Sequence, residues 1–100
     1  WSSHLPQAVS TALSRALADA GIPRERLGQG GRDMTRLALS SPDVWTPIAM
    51  DNAAALGAAL AQMGRELARL GDALARGDED AVRRFFELGS AASAADQPVA

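Results

Sequence analysis

The feature that most constrains the fold of this chain is a stripe of large apolar side chains in its second half. They recur in alternating steps of four and three residues, the spacing of one helix face, at Leu56, Leu60, Met63, Leu67, Leu70 and Leu74. Trp45 and Ile48 extend this spacing toward Pro42, so the sequence predicts one long helix from Pro42 to Arg76, bent at Pro47. Ser41 is the predicted N-terminal cap of this helix. Such a helix would span roughly 50 Å at ~1.5 Å per residue. A compact globule of this size is only about 35 Å across, so the helix cannot bury its stripe within one chain.

Glycines accompany the stripe at intervals of seven, at Gly57, Gly64 and Gly71. Each glycine inside a helix costs about 1 kcal/mol relative to alanine. Their matching phase favours a neighbouring helix that approaches closely, and the alternative is an accident of composition. The stripe is also a short heptad seam, which ordinary helical bundles show as well.

The remaining sequence also has the helical period. Leu5, Val9, Leu13 and Leu17 recur every four residues and predict a first helix that runs to about Ala20. Residues 24–31 are predicted as a loop and 32–39 as a short helix, and a last helix begins after Gly77. From residue 90 onward no apolar stripe anchors the chain, so we expect one domain over 1–90 and a disordered tail over 91–100. The expected fold class is all-α, a helical bundle with one long central helix.

Composition excludes several classes of function. The sequence has no cysteine and one histidine, so it offers no disulfide framework and no expected metal site. A net charge of −2 with four scattered aromatic residues argues against nucleic acid as a partner. We expect no membrane span and no signal peptide, because no apolar run is long enough. Since Trp1 is not an initiator methionine, we expect the chain to be a piece of a longer protein.

Polar groups, glycines and an aromatic residue gather between Gly28 and Trp45. An arginine behind a glycine-rich turn suits an anionic ligand, because a guanidinium can hold a carboxylate through two parallel hydrogen bonds. Arg32 or Arg36 could serve, and the alternative is a surface ion pair of either arginine with Asp33. His4 and Trp45, taken alone, are typical of structural and core positions.

Three strings, in order and with similar spacing, resemble the C-terminal domain of prephenate dehydrogenases and their arogenate-using relatives. They are Ser-His-Leu-Pro-Gln at 3–7, Gly-Gln-Gly-Gly-Arg-Asp-Met-Thr-Arg at 28–36, and Ser-Pro-Asp-Val-Trp at 41–45. The resemblance covers nearly the whole chain. The family usually has an aromatic residue where Gly31 stands, often a third glycine in place of Gln29, and often a second histidine in place of Gln7.

The resemblance implies a cytoplasmic two-domain enzyme that oxidatively decarboxylates prephenate to 4-hydroxyphenylpyruvate, or arogenate to tyrosine, with NAD or NADP. It implies that an N-terminal Rossmann domain, absent from this chain, binds the cofactor and carries the general-base histidine. This helical domain would then form an interlocked homodimer, supply part of the substrate pocket and be inactive alone. Arg36 matches the arginine that binds a substrate carboxylate, and the other positions in or near the pocket are Ser3, His4, Gln7, Gly30 and Trp45.

Two other interpretations stay open at this point. The chain could be a non-catalytic interaction or regulatory module that dimerises through the Leu56–Leu74 seam. It could also be a family member that kept the dimer and lost the activity.

Overall fold

The structure, a computed structural model, describes residues 4–95, and every regular element in that range is helical. This confirms the all-α prediction. The α-helices are α1 (His4–Asp19), α2 (Gln29–Thr35), α3 (Pro42–Asp51), α4 (Ala53–Arg76) and α5 (Glu79–Ala95), with short 3₁₀ helices at Arg24–Arg26 and Arg36–Leu39. The chain divides into two compact units, residues 1–60 and 61–100, and the boundary lies inside α4.

Helix α1 organises the first unit by packing against α2 and against the 3₁₀ helix Arg36–Leu39. The buried side chains of this unit are polar rather than apolar, namely Gln7, Ser10 and Thr35. The Thr35 hydroxyl donates to the Gly31 carbonyl oxygen at 2.8 Å within its own helix, which offsets the cost of burying it.

Two glycines end helices in the way that the sequence predicts. Gly21 and Gly77 have φ angles of +76° and +68°, the left-handed region that favours glycine. After α4, the Gly77 amide donates to Leu74 and the Asp78 amide donates to Ala73, which satisfies carbonyls that the helix leaves free. Asp78 then begins α5, since its Oδ1 accepts the Ala81 amide at 3.1 Å.

The prediction of one helix from Pro42 to Arg76 is wrong, because the helix is interrupted at Asn52, between α3 and α4. Asn52 has φ −120° and ψ 26°, outside the helical region, and its Nδ2 donates to the Ile48 carbonyl oxygen at 2.8 Å. The side chain thereby takes the acceptor that a continuing helix would have used for its backbone. Pro47 lies inside α3 and does not end it. At the start of α3, Ser41 caps the helix as predicted, with its hydroxyl accepting the Asp43 amide.

Two further boundaries differ from the prediction. Helix α2 begins at Gln29, inside the segment predicted as a loop, with Gly28 as its N-terminal cap. Helix α5 continues to Ala95, into the segment 91–100 predicted as a tail, and residues 96–100 lie outside the described range.

Helix α4 leaves much of its apolar stripe uncovered within this chain. Leu67 and Leu74 are 54% and 61% exposed. A Cβ atom built at Gly57, Gly64 or Gly71 would meet nothing within 4 Å. Within the described residues, no helix approaches these glycines closely. Among the described helices, none is long and apolar enough to cross a membrane.

Candidate functional site

A cavity of about 400 Å³ in the first unit brings together residues from both ends of that unit's sequence. This volume lies within the range of about 300–1,000 Å³ that is typical of small-molecule sites. The polar and aromatic side chains in its wall come from α1, from the segment that leads into α3 and from α3 itself, and they are His4, Gln7, Thr11, Ser40, Ser41, Trp45 and Thr46. The rest of the wall is apolar, with Ala8, Ala38, Pro42, Ile48, Ala49 and Leu56. No Arg, Asp or Glu lines this cavity in the described part of the chain.

His4 and Trp45 form one corner of this cavity. Their ring centroids lie 6.0 Å apart at an interplanar angle of 77°, an edge-to-face arrangement. Both side chains are half-buried, so each retains a face that a ligand can reach. The contact fixes the first turn of α1 against α3. Three of the residues implicated by the resemblance, these two and Gln7, thus share one site.

Gln7 is the most buried side chain of this site, with 7% of its surface exposed. Its Nε2 donates to the carbonyl oxygen of Leu37 at 2.6 Å, across a separation of 30 residues. Because a carbonyl oxygen only accepts hydrogen bonds, this partner defines which end of the amide is nitrogen. The other end, Oε1, is buried and has no hydrogen-bond partner among the described residues.

Arg36 is exposed and begins the 3₁₀ helix whose residue Leu37 accepts from Gln7. Its guanidinium makes no hydrogen bond or ion pair within residues 4–95, and it does not line the cavity. Two residues later, Ala38 is part of the cavity wall. The guanidinium of Arg36 is therefore unpaired within the described residues and is not part of the cavity wall.

Two other arginines of this region, Arg24 and Arg32, have structural partners. Arg24 donates to the Arg32 carbonyl oxygen at 3.2 Å, and Arg32 donates to the Glu25 carbonyl oxygen at 3.1 Å. Asp33 accepts from Gln29 at 2.9 Å. Neither ion pair that the sequence offered as an alternative, Asp33 with Arg32 or with Arg36, forms in the described part of the chain. Of the two candidate anion-binding arginines, the structure leaves Arg36 available.

Two sequence candidates remain. Ser3 lies outside the described residues. Gly30 is in the first turn of α2, with open space where a side chain would project, and it is not part of the cavity wall. A second, more apolar cavity of about 640 Å³ lies near the end of α1 and is lined by Leu17, Ile22, Leu27 and Leu39 among others.

Sequence reasoning missed the hydroxyl side chains of this site. Thr11 and Thr46 line the cavity, and so does Ser41, which the sequence identified only as a helix cap. Thr11 follows Gln7 by one helical turn, and this spacing could have placed both on one face. Nothing local in the sequence indicates that Thr46 faces the same cavity.

Comparison with known proteins gives one match. A family model described as "Prephenate dehydrogenase, dimerization domain" matches residues 1–88 of this chain. No curated protein and no solved structure matches it. The matched range contains the whole cavity, Arg36 and all of α4.

Proposed function

Since the chain belongs to the prephenate dehydrogenase dimerization-domain family, we propose that it is the dimerising and substrate-binding part of a cytoplasmic prephenate or arogenate dehydrogenase. The reaction is the oxidative decarboxylation that the family resemblance implies. One observation carries the proposal beyond membership. His4 and Gln7 come from one motif and Trp45 from another, and all three line one cavity of suitable size. Arg36 precedes the cavity residue Ala38 by two positions, and its guanidinium has no partner among the described residues.

Arg36 binds a carboxylate of the substrate in this proposal. Both substrates of the family carry two carboxylates, and a guanidinium matches a carboxylate through two parallel charge-assisted hydrogen bonds. The arginine is exposed and forms no ion pair with an acidic side chain within the described range. No ion pair therefore has to break before Arg36 binds the substrate carboxylate. Trp45 and His4 give the ring of the substrate an apolar and aromatic wall. Fixing the substrate in one orientation supplies several kcal/mol of rate enhancement in such reactions, on the order of 7 or more in the best cases.

The cofactor is held elsewhere in the intact enzyme. A dinucleotide site requires a βαβ unit with its glycine fingerprint, and residues 4–95 contain only helices. NAD or NADP would supply the hydride acceptor and would be held by a Rossmann domain of the intact enzyme. This chain contributes binding and orientation of the substrate, and it carries no general base in our proposal.

The dimer forms through α4 in this proposal. Its stripe combines exposed leucines with three glycines whose Cβ positions are open. A second copy of α4 would bury this apolar surface, and burial stabilises by about 25 cal/mol for each Å² removed from water. This arrangement supports the interlocked homodimer that the resemblance implies.

The deciding experiment measures NAD⁺ and NADP⁺ reduction by the intact protein that contains this chain, with prephenate and with arogenate. Arg36→Ala should lower kcat/KM by at least about 100-fold, because a charge-assisted bidentate contact is lost. Arg15→Ala is the matched control, since Arg15 is equally exposed but lies on α1 away from the cavity wall. Its kcat/KM should stay within about twofold of the unmodified protein.

The outcomes separate the proposal from the alternatives. An intact, folded dimer that oxidises neither substrate with either cofactor overturns the enzyme proposal and favours the non-catalytic module or a family member that lost activity. If Arg36→Ala leaves kcat/KM unchanged, the proposal that the protein is a dehydrogenase stands, but the proposal that Arg36 binds the substrate is wrong.

A further inference from the structure

The helical backbone changes type at Thr35, directly before Arg36. Thr35 is the last residue of α2 and has φ −100° and ψ −5°, away from regular α-helical values, and the 3₁₀ helix begins at Arg36. In a continuing α-helix the Arg36 amide would donate to the carbonyl oxygen four residues earlier. It donates instead to the carbonyl oxygen of Asp33. Because a 3₁₀ helix has about 3.0 residues per turn and an α-helix about 3.6, this change alters the direction in which the Arg36 side chain leaves the backbone.

Side chains engage the acceptor that a continuing α-helix would have used, the carbonyl oxygen of Arg32. The Arg24 guanidinium donates to this oxygen at 3.2 Å, from the 3₁₀ helix that follows α1. The Thr35 hydroxyl lies 3.3 Å from the same oxygen and 2.8 Å from the Gly31 carbonyl oxygen, and its single proton is shared between them. A threonine that bonds back to its own helix in this way often bends the helix. The Arg32 carbonyl is thus held by two side chains at the point where α2 ends.

Burial fixes Thr35 in this arrangement. Thr35 is 2% exposed, so its hydroxyl needs an acceptor inside the protein, and the two carbonyls of α2 provide it. On the other side of Arg36, the Leu37 carbonyl oxygen accepts a hydrogen bond from the buried Gln7. The backbone is therefore tied down on both sides of Arg36. Because arginine has a long and flexible side chain, a fixed backbone reduces the freedom that it loses on binding an anion.

Thr35 and Arg24 do not belong to the wall of the cavity that contains His4 and Trp45. Both line the separate cavity near the end of α1. A ligand held beside His4 and Trp45 therefore does not touch them. Any effect of these two residues on the proposed reaction has to pass through another residue, and Arg36 is the one whose backbone they hold.

We propose that Thr35 and Arg24 are positioning residues for Arg36. By engaging the Arg32 carbonyl, they change the backbone from α-helix to 3₁₀ helix and set the direction from which Arg36 meets a substrate carboxylate. This inference rests on the proposed function and adds two residues that act on the reaction without contacting the substrate.

The test measures kcat/KM of the intact protein, with whichever of prephenate and arogenate it oxidises. Thr35→Val keeps the shape of the side chain and removes the hydroxyl, and it should lower kcat/KM by about tenfold, because small misplacements of a binding group are costly. Arg24→Met keeps the stem and removes the donors, and it should lower kcat/KM by about threefold or more. Thr35→Ser retains the hydroxyl and should stay within about twofold of the unmodified protein.

The deciding measurement repeats Thr35→Val and Arg24→Met in an Arg36→Ala background. A residue that acts through Arg36 has nothing left to position there, so each substitution should change kcat/KM by less than about twofold. A residue that only stabilises the fold would cause the same loss in both backgrounds. This difference separates a positioning role from a structural one.

Two substitutions serve as matched controls, and both should leave kcat/KM within about twofold. Ser10→Ala removes another buried hydroxyl of the first unit, one that has no hydrogen-bond partner among the described residues. Arg26→Met removes the same charge as Arg24→Met from the same 3₁₀ helix, at an equally exposed position.

The outcomes distinguish this inference from the proposed function. Equal losses with and without Arg36, or no loss in Thr35→Val and Arg24→Met, overturn the inference and leave the proposed function standing. A loss in Thr35→Ser as large as in Thr35→Val also overturns it for Thr35, because the hydroxyl would not be the group that matters. Should Thr35→Val fail to fold, the exposed Arg24 carries the same test. An unmodified protein that oxidises neither substrate removes the proposed function, and this inference with it.

Discussion

The side-chain amide of Gln7 lies 2.6 Å from the carbonyl oxygen of Leu37, thirty residues further along the chain, and donates a hydrogen bond to it. This bond ties α1 to the 3₁₀ helix that begins at Arg36. Gln7 is part of the cavity wall, and the residue that accepts its hydrogen bond directly follows Arg36, the candidate for binding an anion. The same contact therefore has a structural and a functional consequence.

Removing this bond should destabilise the first unit. Gln7→Ala leaves the Leu37 carbonyl without its side-chain donor, and we expect the free energy of unfolding to fall by about 1–3 kcal/mol. Denaturant unfolding of the dimeric chain, followed by circular dichroism, measures the change. Gln62→Ala serves as the control, because that glutamine is exposed and should change the value by no more than about 0.5 kcal/mol. Equal losses in the two variants would contradict a structural role for the Gln7 bond.

The edge-to-face contact between His4 and Trp45 should appear as a coupling energy. In a double-mutant cycle of His4→Ala and Trp45→Ala, we expect about 0.5–1.5 kcal/mol of interaction. Ile22 follows the opposite end of α1, about 27 Å away along the helix axis. A cycle of His4→Ala with Ile22→Ala should therefore give less than about 0.5 kcal/mol. Additive losses for His4 and Trp45 would show that the ring contact contributes nothing to stability.

A charge on the exposed stripe of α4 should weaken the dimer. Leu67→Glu would place a carboxylate in the proposed apolar interface, and we expect the dimer dissociation constant to rise by at least about 100-fold. Sedimentation equilibrium gives this constant directly. Gln62→Glu introduces the same group at an exposed polar position of α4 and should change it by less than about threefold. If the Leu67→Glu protein dimerises normally, the dimer interface does not include this stripe.

Adding a methyl group at Gly64 separates two effects of opposite sign. Within one chain nothing lies within 4 Å of the new Cβ, so alanine should stabilise the helix by about 1 kcal/mol. If the partner helix approaches closely here, as the glycine spacing predicts, the methyl group instead forces the two helices apart. We expect Gly64→Ala to weaken dimerisation by about tenfold in sedimentation equilibrium. A tighter or unchanged dimer would mean that the glycine spacing reflects composition alone.

The sequence predicted the helices well where the relevant physics is local. Gly77 ends α4 with a positive φ, and Ser41 caps α3, as their residue types indicate. The break at Asn52 was missed because the apolar spacing on either side continues through it in phase. The side-chain bond from Asn52 to Ile48 competes with one backbone bond, and a periodicity argument cannot weigh that competition.

The resemblance named three residues that line the cavity, His4, Gln7 and Trp45, and their role in binding stays a prediction. The sequence did not predict how they come together. Gln7 is held by a backbone carbonyl thirty residues away, and no local pattern encodes such a contact. Arg36 was named as a ligand to an anion, and the structure places it at the start of a 3₁₀ helix, outside the cavity wall.

Ala73 is the sole buried apolar side chain within the described residues. An isolated copy therefore buries less apolar surface than most domains, in which the hydrophobic effect is the main favourable contribution to folding. Where a dimer is obligate, the monomer is often unstable, and stability depends on the protein concentration. We expect the thermal midpoint of this chain to rise with its concentration, and newly made copies to stay open to proteases until they find a partner.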